Sequence, residues 1–207
     1  MDIHPPHAIH TWKDFGIQLV TITAGILIAL SLEGVRESVH DRALVREARE
    51  NIRREIADNK RELDHEIGAM TDRGKRIDTA LQFANELLKD RHTQIHQLGL
   101  ELSFPSLSAA SWQTAERTGA LAHMDYGEVQ KYAALYSFQE FLTAQHRRAL
   151  DTLVGAIGII TGGGNPQEAP PAEIERFREQ VVALRSILFV EEQMAHTASE
   201  RYKKALE

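Results

Sequence analysis

Cysteine is absent from the 207-residue chain. Its absence excludes disulfides, iron–sulfur ligation and thiol nucleophiles, and it suits either face of a bacterial inner membrane. Proline is scarce, with 6 residues, and aromatics make up only 6%. With Leu, Ala, Glu and Arg abundant, that composition favours helix over sheet. A basic excess is lacking too. The net charge is −6, and no segment joins clustered Lys and Arg to stacking aromatics, so nucleic acid is excluded as a partner. Catalytic signatures are missing in the same way. The chain has no G-x-S-x-G and no H-E-x-x-H. Its glycine cluster "TGGGN" at 161–165 follows an expected helix instead of opening one, so it lacks the helix N-terminus that holds phosphate. Nothing points to a cofactor, and the chain reads as a non-enzyme.

One long apolar run stands out against this background. Residues 15–32 of "FGIQLVTITAGILIALSLEG" carry no formal charge. Eighteen residues of helix span about 27 Å, close to the thickness of a hydrocarbon core. Three readings compete: a single transmembrane helix, a cleaved signal peptide and a buried core helix. The first is preferred. The leading segment offers one lysine, Lys13, offset by Asp14, and not a basic n-region, although Ala29-Leu30-Ser31 loosely resembles a cleavage site. The run is also too uniformly apolar for a helix with one wet face. Trp12 sits where an interfacial anchor sits. Thr21, Gly25 and Ala29 recur every four residues and form a candidate helix-association face. Arg36, Arg42, Arg46, Arg49 and Arg53 follow the run, against Lys13 before it. That bias puts the body in the cytoplasm in preference to the periplasm.

The domain plan is therefore a polar tail at 1–14, a transmembrane helix at 15–34 and a soluble helical bundle at 35–207. Beyond Gly34, apolar residues fall at Leu44, Ala48, Ile52, Ile56, Leu63, Ile67, Met70, Ile77, Leu81, Ala84 and Leu88, mostly at steps of three, four or seven. This stripe extends the first helix from about residue 12 to about 90, with a bend allowed near Gly68 or Gly74. Charged residues fill its other faces. Three further helices are predicted at about 107–118, 125–161 and 171–205. The first has Ser108 as candidate cap and Gly119 as stop. The second opens on Asp125 and Glu128, close to a capping box, with Val129, Tyr132, Tyr136, Leu153 and Ile157 inward. The third has Pro171 in its first turn and an inner stripe of Ile174, Phe177, Val181, Leu184, Leu188, Ala195, Ala198 and Tyr202. The predicted fold is all-α: a transmembrane helix continuing into a long amphipathic helix that packs in an antiparallel bundle.

Several residue groups invite a sharper reading. His4, His7 and His10 repeat every three residues and are candidate metal ligands, although a polar tail that happens to hold histidines is the simpler account. Glu62 and His65 form one E-x-x-H; Glu192 and His196 are spaced by four, so a di-metal set is incomplete. His92 and His96 lie one turn apart near a helix end. Trp112, Tyr132 and Tyr136 are read first as core aromatics. The alternative is a ligand pocket between helices, with Arg117 or His123 at its mouth.

The segments "MDIHPPH", "WKDF", "TITAGILIALSLEGV" and "REARENIRREIADNKREL", with "SAASWQTAERTGALAHMDYGEVQKYAALY", resemble a group of small, uncharacterised bacterial membrane proteins. The resemblance implies a single-pass inner-membrane protein and brings no catalytic residue with it. The expectation is a membrane-anchored bundle that serves as an interaction or scaffold protein. Its partners would be the lipid bilayer, a further protein and a second copy of itself through the membrane helix. A ligand-sensing module is the alternative, and a metal-binding protein comes after that.

Overall fold

The structure is a computed structural model and describes residues 12–93, 100, 102–162 and 165–207. It is all-helical, with no strand among the described residues. The helices are α1 (Trp12–Lys89), α2 (Ala110–Arg117), α3 (Tyr126–Gly162) and α4 (Pro171–Leu206), with a 3₁₀ turn at Ala120–His123. The helical hydrogen bonding of α1 runs unbroken through Gly68 and Gly74. The chain forms two compact units, Met1–Glu47 and Ala48–Glu207.

In the first unit, α1 is long and apolar enough to cross a membrane, and its most apolar window is entirely exposed. Ile17, Val20, Ile26, Ile28, Leu30 and Leu32 all present their side chains outward. Two polar residues of the run bond back to their own helix. The Thr21 hydroxyl donates to the Ile17 carbonyl at 2.9 Å, and Ser31 donates to the Leu27 carbonyl at 2.7 Å. Such back-bonding to residue i−4 hides a hydroxyl from an apolar solvent.

In the second unit, α4 runs antiparallel to both α1 and α3. Asp78 meets Arg185, Arg73 meets Glu191, and Asp64 meets Ser199, so rising numbers on α1 pair with falling numbers on α4. By contrast, α1 and α3 run parallel: Arg49 meets Glu128, Glu55 meets Tyr136 and Asn59 meets Gln139. Parallel neighbours cannot be joined by a tight turn, so the chain must travel back along the bundle between them. Among the described residues, the return is made by 102–125, which include α2 and the 3₁₀ turn.

The core follows the apolar stripes. All eight residues expected on the inner face of α4 are buried, from Ile174 to Tyr202. On α1, Ala48, Ile52, Ile56, Leu63, Met70, Ile77 and Ala84 are buried, as the periodicity requires, whereas Leu88 is exposed and Leu87 takes its place. Ile157 of α3, expected inward, is 37% exposed. The charged residues are not confined to outer faces. Glu55, Asn59, Glu66 and Arg73 of α1 are buried, as are Gln139 and His146 of α3 and Glu191 of α4. Local signals set the helix ends. Asp125 Oδ1 accepts the Glu128 amide at 3.0 Å and caps α3, Pro171 occupies the first turn of α4, and Gly119 follows α2 with φ 78°.

Leu63 has no exposed surface, so Leu63→Ala leaves a cavity and is expected to lower the unfolding free energy by about 2–5 kcal/mol. The Phe189 ring is 64% exposed, and Phe189→Ala should change it by about 0.5 kcal/mol or less. Urea unfolding of detergent-purified protein, followed by circular dichroism, measures both.

Candidate functional site

The return segment lies as a strap between α1 and α3, and a line of polar side chains holds it there. Residues 102–109 contain Pro105, which is buried, and Phe104 and Leu107, which are half-buried. A strap of this kind brings backbone N–H and C=O groups into the bundle, where each needs a partner. Asn59 supplies two. Its Oδ1 accepts the Ser108 amide at 2.8 Å, and its Nδ2 donates to the Ser108 carbonyl at 2.7 Å. Gln139 Nε2 donates to the same carbonyl at 2.9 Å. Tyr202 of α4 donates its hydroxyl to Gln139 Oε1 at 2.6 Å, and Asn59 Nδ2 shares that oxygen at 3.2 Å. One carbonyl of the strap is thus gripped from α1 and α3 and braced from α4.

Glu55 of α1 completes this upper node. Ser108, the cap the sequence suggests, accepts the first amide of α2, that of Ala110, on its hydroxyl at 3.2 Å. The N-cap position is Ala109, which has no side-chain bond to give. The capping carboxylate arrives from another helix. Glu55 Oε2 accepts the Ser111 amide at 2.9 Å and the Ser108 hydroxyl at 2.7 Å. Its Oε1 accepts the Tyr136 hydroxyl at 2.7 Å and the Trp112 amide at 3.5 Å. Burial alone would raise the Glu55 carboxyl. The donors from Ser111, Ser108, Tyr136 and Trp112 together outweigh it and hold the group below the usual glutamate range. The same contact acts on Tyr136 in the opposite sense: burial, then the Glu55 carboxylate beside it, push the phenol far above its ordinary value. A second inter-helix pair lies nearer the start of α3. Arg49 engages Glu128 through two bonds of 2.7 Å and, together with Tyr132, holds the Glu128 carboxyl low.

A lower node lies about three helical turns along α1. Arg73 Nη2 donates to the Ser103 carbonyl at 2.9 Å, and Nη1 meets Glu191 at 2.9 Å. Arg73 also pairs with Glu66. Phe104 of the strap lies between the Arg73 guanidinium, 5.0 Å from its ring centre, and the His146 imidazole, stacked on it at 4.7 Å and 21°. Beside this node a shallow groove of about 140 Å³ runs between α1 and α4, lined by Gly74, Ile77, Leu188 and Phe189 among others.

The structure brings some expected site residues together and leaves others apart. Trp112 stacks on Tyr136 at 5.4 Å and 17°, with Tyr132 edge-on at 6.5 Å. The three rings pack on one another, and Arg117 and His123 are exposed. Glu62, His65 and His196 are exposed, and among the described residues no group of three His, Asp or Glu could hold a metal ion. His92 is exposed. His4, His7, His10 and His96 lie outside the described residues. Thr21, Gly25 and Ala29 are exposed on α1, and a Cβ at Gly25 would meet nothing within 4 Å. The polar line Glu55–Asn59–Glu66–Arg73 was missed by the sequence reading. Its signal was present: the steps of four, seven and seven match the apolar stripe. No protein-family model, no curated protein and no solved structure matches this chain.

Glu55→Ala strands four donors and is expected to cost about 3 kcal/mol, whereas exposed Glu62→Ala should stay within about 0.5 kcal/mol. The folded Glu55 carboxyl lies below its ordinary value of 4.5, so its stabilisation is complete above that pH and is lost as pH falls through the folded value. Glu55→Gln should therefore flatten the acid limb of a stability-against-pH profile measured by urea unfolding.

Proposed function

We propose that this is a single-pass membrane protein of the bacterial inner membrane whose cytoplasmic helical bundle serves as a non-enzymatic interaction or scaffold module. One observation carries the reading: the uncharged residues 15–32 form continuous helix with every side chain open to solvent. An aqueous protein does not leave such a surface bare, and a lipid bilayer is the environment that covers it. Orientation rests on the arginines from Arg36 to Arg53 set against Lys13 alone. The non-enzymatic reading draws support from the way the buried polar groups are used. Glu55, Asn59, Gln139, Tyr136 and Tyr202 bond to the strap and to one another, so each already serves a structural partner. A ligand pocket among Trp112, Tyr132 and Tyr136 would require stacked rings to part. A protein partner is supported by outward apolar side chains on the bundle, with Val154 one turn from Leu150 on α3, and Val182 two turns from Phe189 on α4.

Full-length protein carrying a C-terminal reporter should remain in the membrane pellet after carbonate extraction, at uncleaved mass, with the reporter active in the cytoplasm. Release into the wash, or a mass shortened by about thirty residues, would falsify the anchor. Self-association through Thr21, Gly25 and Ala29 has its own test. Gly25→Leu should reduce the yield of cross-linked dimer in membranes at least several-fold, because a bulky side chain keeps two helix backbones apart; an unchanged yield would leave that face idle.

A further inference from the structure

The lower node contains a charge count that its hydrogen bonds do not close. Two carboxylates, Glu66 of α1 and Glu191 of α4, face one guanidinium, Arg73, and all three are more than nine-tenths buried. Arg73 uses Nη1 on Glu191 Oε2, and Nη2 on Glu66 and the Ser103 carbonyl. Glu191 Oε1 is inaccessible to solvent and has no hydrogen-bond partner, and Glu66 Oε1 has none beyond its ion pair with Arg73. At 3.3 Å from Glu191 Oε1 lies Nε2 of His146, 5% exposed and likewise without a hydrogen bond. Without a proton between them, these atoms are two lone pairs facing each other. A neutral imidazole protonated on Nε2 would supply a hydrogen bond and leave one negative charge in excess. An imidazolium supplies the bond and the charge together, making two cations against two anions. An uncompensated charge in such a place is strongly destabilising.

We propose that His146 is a proton-operated latch of the bundle: its imidazolium closes the Glu66–Arg73–Glu191 network, and losing that proton leaves Glu191 half-paired and weakens the hold on the strap. The mechanical link is Phe104. Its ring contacts both the His146 imidazole and the Arg73 guanidinium, so the seating of the strap's anchor depends on this network. The groups around His146 are few. From α1 come Glu66 and Arg73; from α4 comes Glu191, with half-exposed Glu192 at the groove edge. Among the described residues, the strap offers the uncharged Phe104 and the Ser103 carbonyl. On α3 itself, neighbouring Arg147 and Arg148 are exposed. The protonated state is the better closed one, so stability is expected to fall when rising pH removes that proton. Glu55 acts at lower pH and in the opposite sense, so it does not mask the effect.

Thermal unfolding of the full chain in detergent, followed by circular dichroism at about pH 6 and about pH 8, tests this. Wild type is expected to melt about 3–6 °C lower at the higher pH. His146→Gln should lose that difference and melt near the wild-type high-pH value at both. Glu191→Gln removes the surplus charge while keeping the shape, and should lose the difference by melting at or above wild type at high pH. If His146→Gln does not fold, wild type and Glu191→Gln still decide. A wild-type melting point that does not change with pH, or a Glu191→Gln protein with the wild-type difference intact, overturns the proposal.

Discussion

A segment of chain laid between two parallel helices brings its amides with it, and every buried amide must find a partner. That constraint organises this molecule. The strap at 102–109 is the only way for the described chain to return from the end of α1 to the start of a parallel α3. Its carbonyls at Ser103 and Ser108 are answered by Arg73, Asn59 and Gln139. The helix that follows it, α2, has its first amide held by Ser108 and takes a further cap from Glu55. The inner face of α1 therefore cannot be wholly apolar. It must carry polar groups where the strap passes, at the same helical phase as Ile52, Ile56, Leu63 and Ile77.

The two nodes that hold the strap differ in kind. The upper one, around Glu55 and Asn59, is a closed network: each carboxylate oxygen meets donors, and the tyrosines and glutamine around it are engaged in turn. The lower one rests on a buried guanidinium between two carboxylates, with an imidazole at its edge. Buried ion pairs contribute little net stability over an apolar core of the same shape, because desolvation offsets attraction. What they provide is register. Arg73 can meet Glu66, Glu191 and Ser103 together only if α1, α4 and the strap sit in one alignment.

The first unit and the bundle obey different solvents. Along the bundle, buried side chains alternate with solvated ones at helical spacing. Along residues 15–32 no such alternation exists, and the hydroxyls of Thr21 and Ser31 turn back onto their own helix. A helix that bares apolar side chains all round is long and apolar enough to cross a membrane. This contrast underlies the reading of a membrane-anchored module with a wet body.

The all-helical class, the uncharged run, the cap at Asp125, the Gly119 stop and the buried stripe of α4 were legible in the sequence, because each depends on residues within a few turns of one another. The parallel pairing of α1 with α3 was not, and neither were the buried roles of Glu55, Asn59, Glu66, Arg73, His146 and Glu191. Charged side chains read locally belong in water. Glu66 meets Arg73 two turns along the same helix, but the other five are drawn inside by partners 30 to 120 residues away in sequence, among them the backbone of a strap whose path no local pattern records. Ser108 illustrates the difference: locally it is a helix cap, yet in the folded chain Glu55 caps that helix as well and the Ser108 hydroxyl donates to Glu55. Periodicity determined which faces are apolar. Only the tertiary fold decided which polar groups those faces must hold, because a buried hydrogen bond is satisfied in space and not along the chain.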